Sequence, residues 1–139
     1  MKLYAWVDDG QLFATEDKNL ALSNAIEFEV ENPNDIVYDG TQIRLKTQDE
    51  KLQELKSQKL SELKTYVASL LAPTDYVITK IAEAQIQNDT AEVEALKQKY
   101  TTQLQRREAI RHWNEQTKQA IQNAKTIEEL EAIKIEFEG

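Results

Sequence analysis

His112 is the only histidine of the chain, and two carboxylates flank it at helical spacing. Glu108 lies four residues before it and Glu115 three residues after it, so one helix face would carry all three side chains. An imidazole with two carboxylates can bind a divalent metal, but zinc sites generally use more nitrogen or sulfur ligands than this set provides. The chain has no cysteine to supply them. We therefore predict a surface histidine that forms salt bridges, and no metal site.

The other residues that could do chemistry are acidic. Asp8-Asp9-Gly10 resembles the start of a calcium loop, but the spaced acidic ligands and the terminal Glu of such loops are missing. With three glycines in the chain, a phosphate-binding glycine-rich loop is absent as well. No residue set provides an activated nucleophile or a paired general acid and base. The sequence therefore predicts neither an enzyme nor a cofactor site.

Arg106, Arg107 and Arg111 form the most basic cluster of the sequence. On a helix, Arg107 and Arg111 would share a face, with Glu108 and Glu115 close by. Nucleic-acid binding requires a basic surface that neutralises phosphates, whereas the net charge of this chain is −8. We predict that the arginines form a solvated face or interhelical salt bridges, and that the protein binds no nucleic acid.

Two regions of different composition divide the 139 residues. Residues 1–46 contain 4 basic and 9 acidic groups, and residues 47–139 contain 13 and 16 and almost no Gly or Pro. The chain has no apolar run near the roughly 18–20 residues of a membrane span, and its start does not resemble a signal peptide. We predict an α+β protein with a small acidic β unit at 1–46 and a helical region at 47–139.

Five short strands are predicted in the β unit. Asp-Gly turns at Asp8–Gly10 and Asp39-Gly40 favour two tight hairpins, and residues 25–31 alternate between apolar residues and Glu. The predicted strands are Lys2–Val7, Gln11–Thr15, Ala25–Glu31, Ile36–Tyr38 and Gln42–Leu45. Such an antiparallel meander can bury only one face, so we expect it to require the helices or another subunit.

Four helices are predicted in the second region, at about 48–71, 74–87, 91–124 and 127–137. Three capping signatures mark helix starts: Thr47 with Glu50, Asp89 with Glu92, and Thr126 with Glu129. Pro73 ends the first helix. Thr74 or Asp75 is then expected to cap the second helix, which makes this corner a structural hinge and not a binding site.

The predicted helix at 91–124 would be roughly 50 Å long. Its apolar residues recur at spacings that drift around the helix, as in a coiled coil, with a bend possible near Arg106–Arg107. Because the two shorter helices could not cover this stripe, we predict that a partner contacts it, through Tyr100, Ile110, Trp113 and Ile121. Trp113 is the expected main anchor, of the helical core or of a subunit interface. We expect self-association with closed cyclic symmetry, for which a trimer is one candidate.

The aromatic residues Trp6, Trp113 and Tyr100 are expected to anchor the core. An exposed aromatic residue among them would instead indicate a partner contact.

Several segments resemble those of small tail proteins of tailed bacteriophages, namely tail-fibre accessory proteins and tail or fibre assembly chaperones. Residues 69–78 resemble their turn of two leucines followed by Thr-Asp and an aromatic residue. Residues 106–113 resemble an "Arg, x, x, Ile-Arg, x, Trp" segment, and residues 124–130 an "Ala-x-Thr-x-Glu-Glu-Leu" ending. The hairpin at Tyr38-Asp39-Gly40 is similar to the tyrosine-containing hairpins at their start. The chain departs from this pattern by a long helix between the first two segments.

The resemblance implies a non-enzymatic tail protein, structural or assembly-related, that contacts copies of itself or a tail-fibre or baseplate protein. It also implies assembly in the bacterial cytoplasm and a place in the virion tail, unless the protein is a chaperone that leaves before the particle matures. A cytoplasmic adaptor that binds a host protein through its helices is the alternative, and a small enzyme is the weakest hypothesis.

Overall fold

The structure is a computed structural model that describes residues 1–139. It confirms the α+β class: antiparallel strands come first, and the rest of the chain is mostly helical. The chain divides into two compact units, Met1–Lys51 and Leu52–Gly139. The last residue of the first unit, Lys51, pairs with Asp35 at 3.4 Å. No helix combines the length and apolar character that a bilayer crossing requires.

Five antiparallel strands build the first unit, in two separate sheets. β1 is central in a three-stranded sheet and pairs with β2 on one side and β3 on the other, while β4 and β5 form a two-stranded ribbon. The bounds are Lys2–Asp8 for β1, Gln11–Thr15 for β2, Ile26–Glu29 for β3, Ile36–Tyr38 for β4 and Ile43–Leu45 for β5.

The predicted turns of this unit are confirmed. Asp9 and Gly10 both have positive φ angles, 52° and 75°. A two-residue hairpin turn needs positive φ at both positions, because its twist must match that of the two strands. Asp39 Oδ1 accepts hydrogen bonds from the backbone N–H groups of Thr41 and Gln42, each at 2.9 Å, which closes the turn between β4 and β5.

A small apolar core stabilises the β unit. Strand alternation directs Leu3 and Ala5 to one side of β1, where they are buried together with Val30 and Ile36. The side chains of Tyr4 and Trp6 therefore belong to the opposite face of the sheet.

Five α-helices build the second unit, and α1 begins at the end of the first. The bounds are Gln48–Leu71 for α1, Asp75–Ile86 for α2, Thr90–Lys99 for α3, Thr101–Asn123 for α4 and Ile127–Glu131 for α5. A 3₁₀ turn at Ala72–Thr74 joins α1 to α2.

The three predicted capping signatures are confirmed. The hydroxyl oxygens of Thr47 and Thr126 accept from the backbone N–H groups of Glu50 and Glu129, each at 3.1 Å. The Asp89 carboxylate accepts from the N–H of Glu92 at 3.0 Å. Local hydrogen bonding therefore sets the starts of α1, α3 and α5 as the sequence predicts.

The predicted continuous helix at 91–124 is wrong, and so is the predicted position of its bend. The chain leaves helical geometry at Tyr100, where φ is −106° and ψ is 27°, and α3 and α4 are separate helices. The Thr101 hydroxyl donates to the carbonyls of Lys97 and Gln98 at 3.0 and 2.9 Å. Such bonding of a threonine to the preceding turn competes with the backbone ladder and bends helices.

The predicted last helix at 127–137 is too long, because α5 ends at Glu131. The residues that follow are not helical, and Ile133, Ile135 and Phe137 are partly buried against the core. The backbone N–H of Phe137 donates to the Tyr66 hydroxyl at 3.1 Å. Alternate residues of this segment therefore pack against the helical core.

Two apolar clusters lie in the helical unit. One combines α1, α4, α5 and the C-terminal segment around Ile110, Ile121 and Leu130. The other joins α2 and α3, with Val77 at its centre. Asn88, with φ of 56°, ends α2 in the left-handed conformation, so that α3 turns back onto α2.

Candidate interaction surfaces

The outer face of the three-stranded sheet carries an aromatic surface, which we call the aromatic face: Tyr4, Trp6 and Phe13. Trp6 is the register partner of Phe13 across β1 and β2, so both side chains lie on the same side of the sheet. Their rings stack with centroids 5.8 Å apart at an interplanar angle of 17°. Phe13 is 41% exposed, and Tyr4 and Trp6 are half-buried. The β unit thus exposes aromatic rings on the face opposite its core.

Acidic groups border the aromatic face. Glu27 is the register partner of Tyr4, and its carboxylate pairs with Lys2 at 3.4 Å. Glu29 pairs with the N-terminal amine at 3.0 Å. Both ion pairs are exposed, so they contribute little to the free energy of unfolding. The same charged groups are accessible to charges of a partner.

Sequence reasoning assigned Trp6 to the core and did not single out Phe13. Part of the signal was present, because β1 has apolar residues at both alternating sets of positions, and only one set can face the core. Because Leu3 and Ala5 of β1 face the core, Tyr4 and Trp6 must lie on the opposite face of the sheet.

The four residues predicted to bind a partner belong to the interior of the helical unit. Ile110 and Ile121 are completely buried, and Tyr100 is 7% exposed. Trp113 is half-buried, with its ring 5.7 Å from the ring of Tyr66 and 5.7 Å from that of Phe137. The expectation that this stripe stays uncovered is wrong, because α1 and the C-terminal segment pack against it. Trp113 packs against the helical core, and its role as the main anchor stays a prediction.

Arg107 is the most buried charged residue, at 5% exposure. From α4, its Nη1 donates to the Leu71 carbonyl at 3.0 Å and to Thr74 Oγ1 and Asp75 Oδ1, each at 2.9 Å. Its Nε is buried without a hydrogen-bond partner. The interhelical salt bridge predicted for the arginine cluster exists here, but Arg107 is an interior group that holds the corner between α1 and α2.

The predicted capping role of Thr74 and Asp75 is wrong. Neither side chain accepts a hydrogen bond from a backbone N–H of α2. The Thr74 hydroxyl donates to the Leu71 carbonyl at 3.1 Å, and both side chains accept from Arg107. The 3₁₀ turn at Ala72–Thr74 continues directly into α2. Its carbonyl groups take the place of a side-chain cap, since the N–H of Asp75 already bonds to the Ala72 carbonyl.

The remaining polar candidates lie at the surface. His112 is exposed, as predicted, but it forms no salt bridge with Glu108 or Glu115. Arg106 donates to the Gly139 carbonyl at 2.8 Å and lies 5.5 Å from the Phe137 ring centroid. The structure contains no cluster of His, Cys, Asp and Glu that would hold a metal ion.

Tyr100 lies beside two lysines at the break between α3 and α4. Lys80 Nζ donates to the Tyr100 hydroxyl at 3.3 Å, and Lys99 Nζ lies 5.3 Å from the ring centroid. The Lys80 hydrogen bond is the main cause of a lowered Tyr100 pKa, which burial opposes. A neighbouring cavity of about 340 Å³ has both lysines and also Glu83 and Glu92 in its wall. Charges of both signs give it no preference for an anion or a cation.

Arg44 and Glu50 form the strongest ion pair of the β unit. Arg44 Nη1 lies 2.6 Å from Glu50 Oε1, and Nη2 lies 3.3 Å from Oε2, a bidentate arrangement. Together with a hydrogen bond from the Thr47 backbone, Arg44 lowers the pKa of Glu50 to about 2. The pair joins β5 to the first turn of α1, so its role is structural.

Comparison of this chain with protein-family models, curated protein sequences and solved structures yields no match.

Proposed function

We propose that this chain is a non-enzymatic structural or assembly protein of a bacteriophage tail, and that it binds its partner through the aromatic face. The observation that carries the proposal is the stacked pair of Trp6 and Phe13 on the side of the sheet opposite its core. A few residues contribute most of the binding energy of a protein interface, and Trp and Tyr are enriched among them. Rings held on a paired sheet lose little conformational freedom when they bind.

The assignment to phage tails rests on the resemblance of several segments. Thr74 and Asp75 belong to one of these segments and Arg107 to another, and the structure brings the three side chains into hydrogen-bond contact. The two segments therefore pack together in this chain, at the corner between α1 and α2. The contact gives these segments a structural role, and the assignment to phage tails stays a proposal that rests on the resemblance.

The partner we propose is a tail-fibre or baseplate protein, and a second copy of the chain is the other candidate. Identical chains ordinarily associate with closed cyclic symmetry, and a trimer suits a fibre. Sedimentation velocity over a wide concentration range separates the two: a monomer throughout assigns the aromatic face to a different protein.

Deletion of the gene from the phage or prophage genome that encodes it tests the proposal. We expect particles with incomplete tails under electron microscopy, and restoration by the wild-type gene. The Trp6→Ser/Phe13→Ser variant should fail to restore them. Ile86→Ser is the matched control, because Ile86 is 80% exposed in the helical unit and lies outside the aromatic face.

Intact tails in the deletion strain would contradict the tail assignment. Tails restored by the Trp6→Ser/Phe13→Ser variant would contradict the role of the aromatic face. Mass spectrometry of purified particles then distinguishes a structural component, which is retained, from a chaperone, which is released.

A further inference from the structure

A groove between α1 and α4 has an apolar floor and a cationic rim. The cavity measures about 310 Å³ and is lined by six residues, Leu60, Leu63, Lys64, Val67, Asn114 and Lys118. Leu63 and Val67 are buried in the core cluster, and Leu60 is half-buried and packs against that cluster. We call this cavity the lysine-rimmed groove.

The polar groups of the rim have no partners within the chain. Lys64 and Lys118 are exposed and form no ion pair or side-chain hydrogen bond, and the Asn114 side-chain amide forms none either. By contrast Lys56, on the same helix α1, donates to the Gln122 carbonyl at 2.9 Å. Three polar side chains without partners and three apolar side chains therefore line the same cavity.

The charge of the groove is opposite to that of the whole chain. The protein has a net charge of −8, yet the groove wall contains two lysines and no carboxylate. One lysine comes from α1 and the other from α4, so each helix contributes an ammonium group to the groove. Such an arrangement is complementary to apolar side chains that have carboxylates on both sides.

We propose that the lysine-rimmed groove binds an amphipathic helix of a partner protein, with an apolar stripe flanked by Asp or Glu. An apolar helix face laid into a hydrophobic groove between helices is a common mode of peptide recognition. The carboxylates pair with Lys64 and Lys118, and the Asn114 amide bonds a polar group of the bound helix. The groove belongs to the helical unit, and its occupancy does not depend on the partner being a phage protein.

Titration of the isotope-labelled full chain with synthetic peptides tests this. The probe is an acidic amphipathic peptide of about 15 residues that has Leu on one helical face and Glu beside it. The control peptide carries Lys in place of every Glu. We expect the acidic peptide to shift the NMR signals of the Asn114 side-chain amide and of the Lys64 and Lys118 backbone amides, and the basic peptide to bind at least about tenfold more weakly.

Charge-reversal variants locate the binding. K64E/K118E should bind the acidic peptide at least about tenfold more weakly, and K64Q/K118Q should show a smaller loss in the same direction. The matched control is K125E/K134E, which changes the net charge equally at two exposed lysines outside the groove and should leave binding unchanged. Circular dichroism of each variant verifies that it folds.

Equal affinity for both peptides, or unchanged binding by K64E/K118E, would overturn the proposal. So would self-association of the wild-type chain that K64E/K118E abolishes, since the groove would then be occupied by a second copy.

Discussion

Arg107 on α4 donates a hydrogen bond to Asp75 at the start of α2 over 2.9 Å, although 32 positions separate the two residues. The pair is asymmetric, because the side chain of Arg107 is 7% exposed and that of Asp75 is 63% exposed. Water therefore solvates Asp75 whether or not the pair forms, whereas Arg107 depends on protein acceptors. The stabilising effect of this contact lies mainly in the hydrogen bonds of the arginine, including that to Leu71.

Replacing Arg107 by Met should destabilise the helical unit. The variant keeps the apolar stem but removes charged hydrogen bonds to the corner between α1 and α2, a loss of about 1.5–3 kcal/mol in the free energy of unfolding. Urea denaturation followed by circular dichroism measures it. Arg111→Met is the control, because Arg111 is exposed without a partner and its loss should stay within about 0.5 kcal/mol. Equal effects of the two substitutions would show that the buried hydrogen bonds of Arg107 add nothing to the free energy of unfolding.

Thr74→Ala should lower stability by about 1 kcal/mol, because the hydroxyl both accepts from Arg107 and donates to Leu71. Asp75→Ala should cost less than about 1 kcal/mol, since the exposed carboxylate remains hydrated. In the Arg107→Met background, the effect of Thr74→Ala should shrink. A double-mutant cycle measures this coupling, and strict additivity would mean that Thr74 acts independently of Arg107.

Trp113→Ala should cost about 3 kcal/mol, the lower end of the range for large aromatic core residues, because the indole is only half-buried. The loss includes the edge contact with Tyr66 and the tilted contact with Phe137. Because Phe137 packs on this ring, amide exchange of the last residues should accelerate as well. Trp113→Phe keeps an aromatic ring in place and should lose less than half as much. A variant as stable as the wild type would contradict the role of Trp113 as an anchor.

Local patterns predicted most of the fold. Capping pairs such as Thr47 with Glu50 act over three residues, so their effect is visible in the sequence. The break at Tyr100 was missed because Thr101 also has side-chain conformations that leave a helix intact. The non-helical segment after Glu131 has a signal in the sequence, the alternation of Ile133, Ile135 and Phe137 with charged residues, which is not the spacing of a helix face.

The surfaces were less predictable, because exposure depends on contacts between distant segments. An apolar stripe through Ile110 and Ile121 has the same pattern whether it faces its own core or a partner, and here α1 and α5 cover it. The burial of Arg107 likewise depends on the corner at residues 71–75, which lies more than 30 positions away in the sequence. For the aromatic face, the residue types were visible, but the side of the sheet that holds the core was not.

The stability of the β unit should fall at acidic pH because of Glu50. Its pKa is 4.5 when unperturbed and about 2 in the folded chain, where Arg44 and the Thr47 backbone bind the charged form. Because the folded-state pKa is the lower of the two, this contribution is fully present above the unfolded value. It is lost as the pH falls from about 4.5 toward about 2.

The comparison of wild type with Glu50→Gln isolates this contribution. The glutamine cannot carry the charge, so the difference in free energy of unfolding should be constant above about pH 5.5 and should shrink at lower pH. The chain has two tryptophans, so in a Trp113→Phe background Trp6 fluorescence reports on the β unit alone. Glu115→Gln is the control, since Glu115 is exposed and pairs with no basic group, and its effect should not vary with pH in this way. A Glu50→Gln difference that persists unchanged down to about pH 2.5 would show that Arg44 does not bind the charged carboxylate selectively.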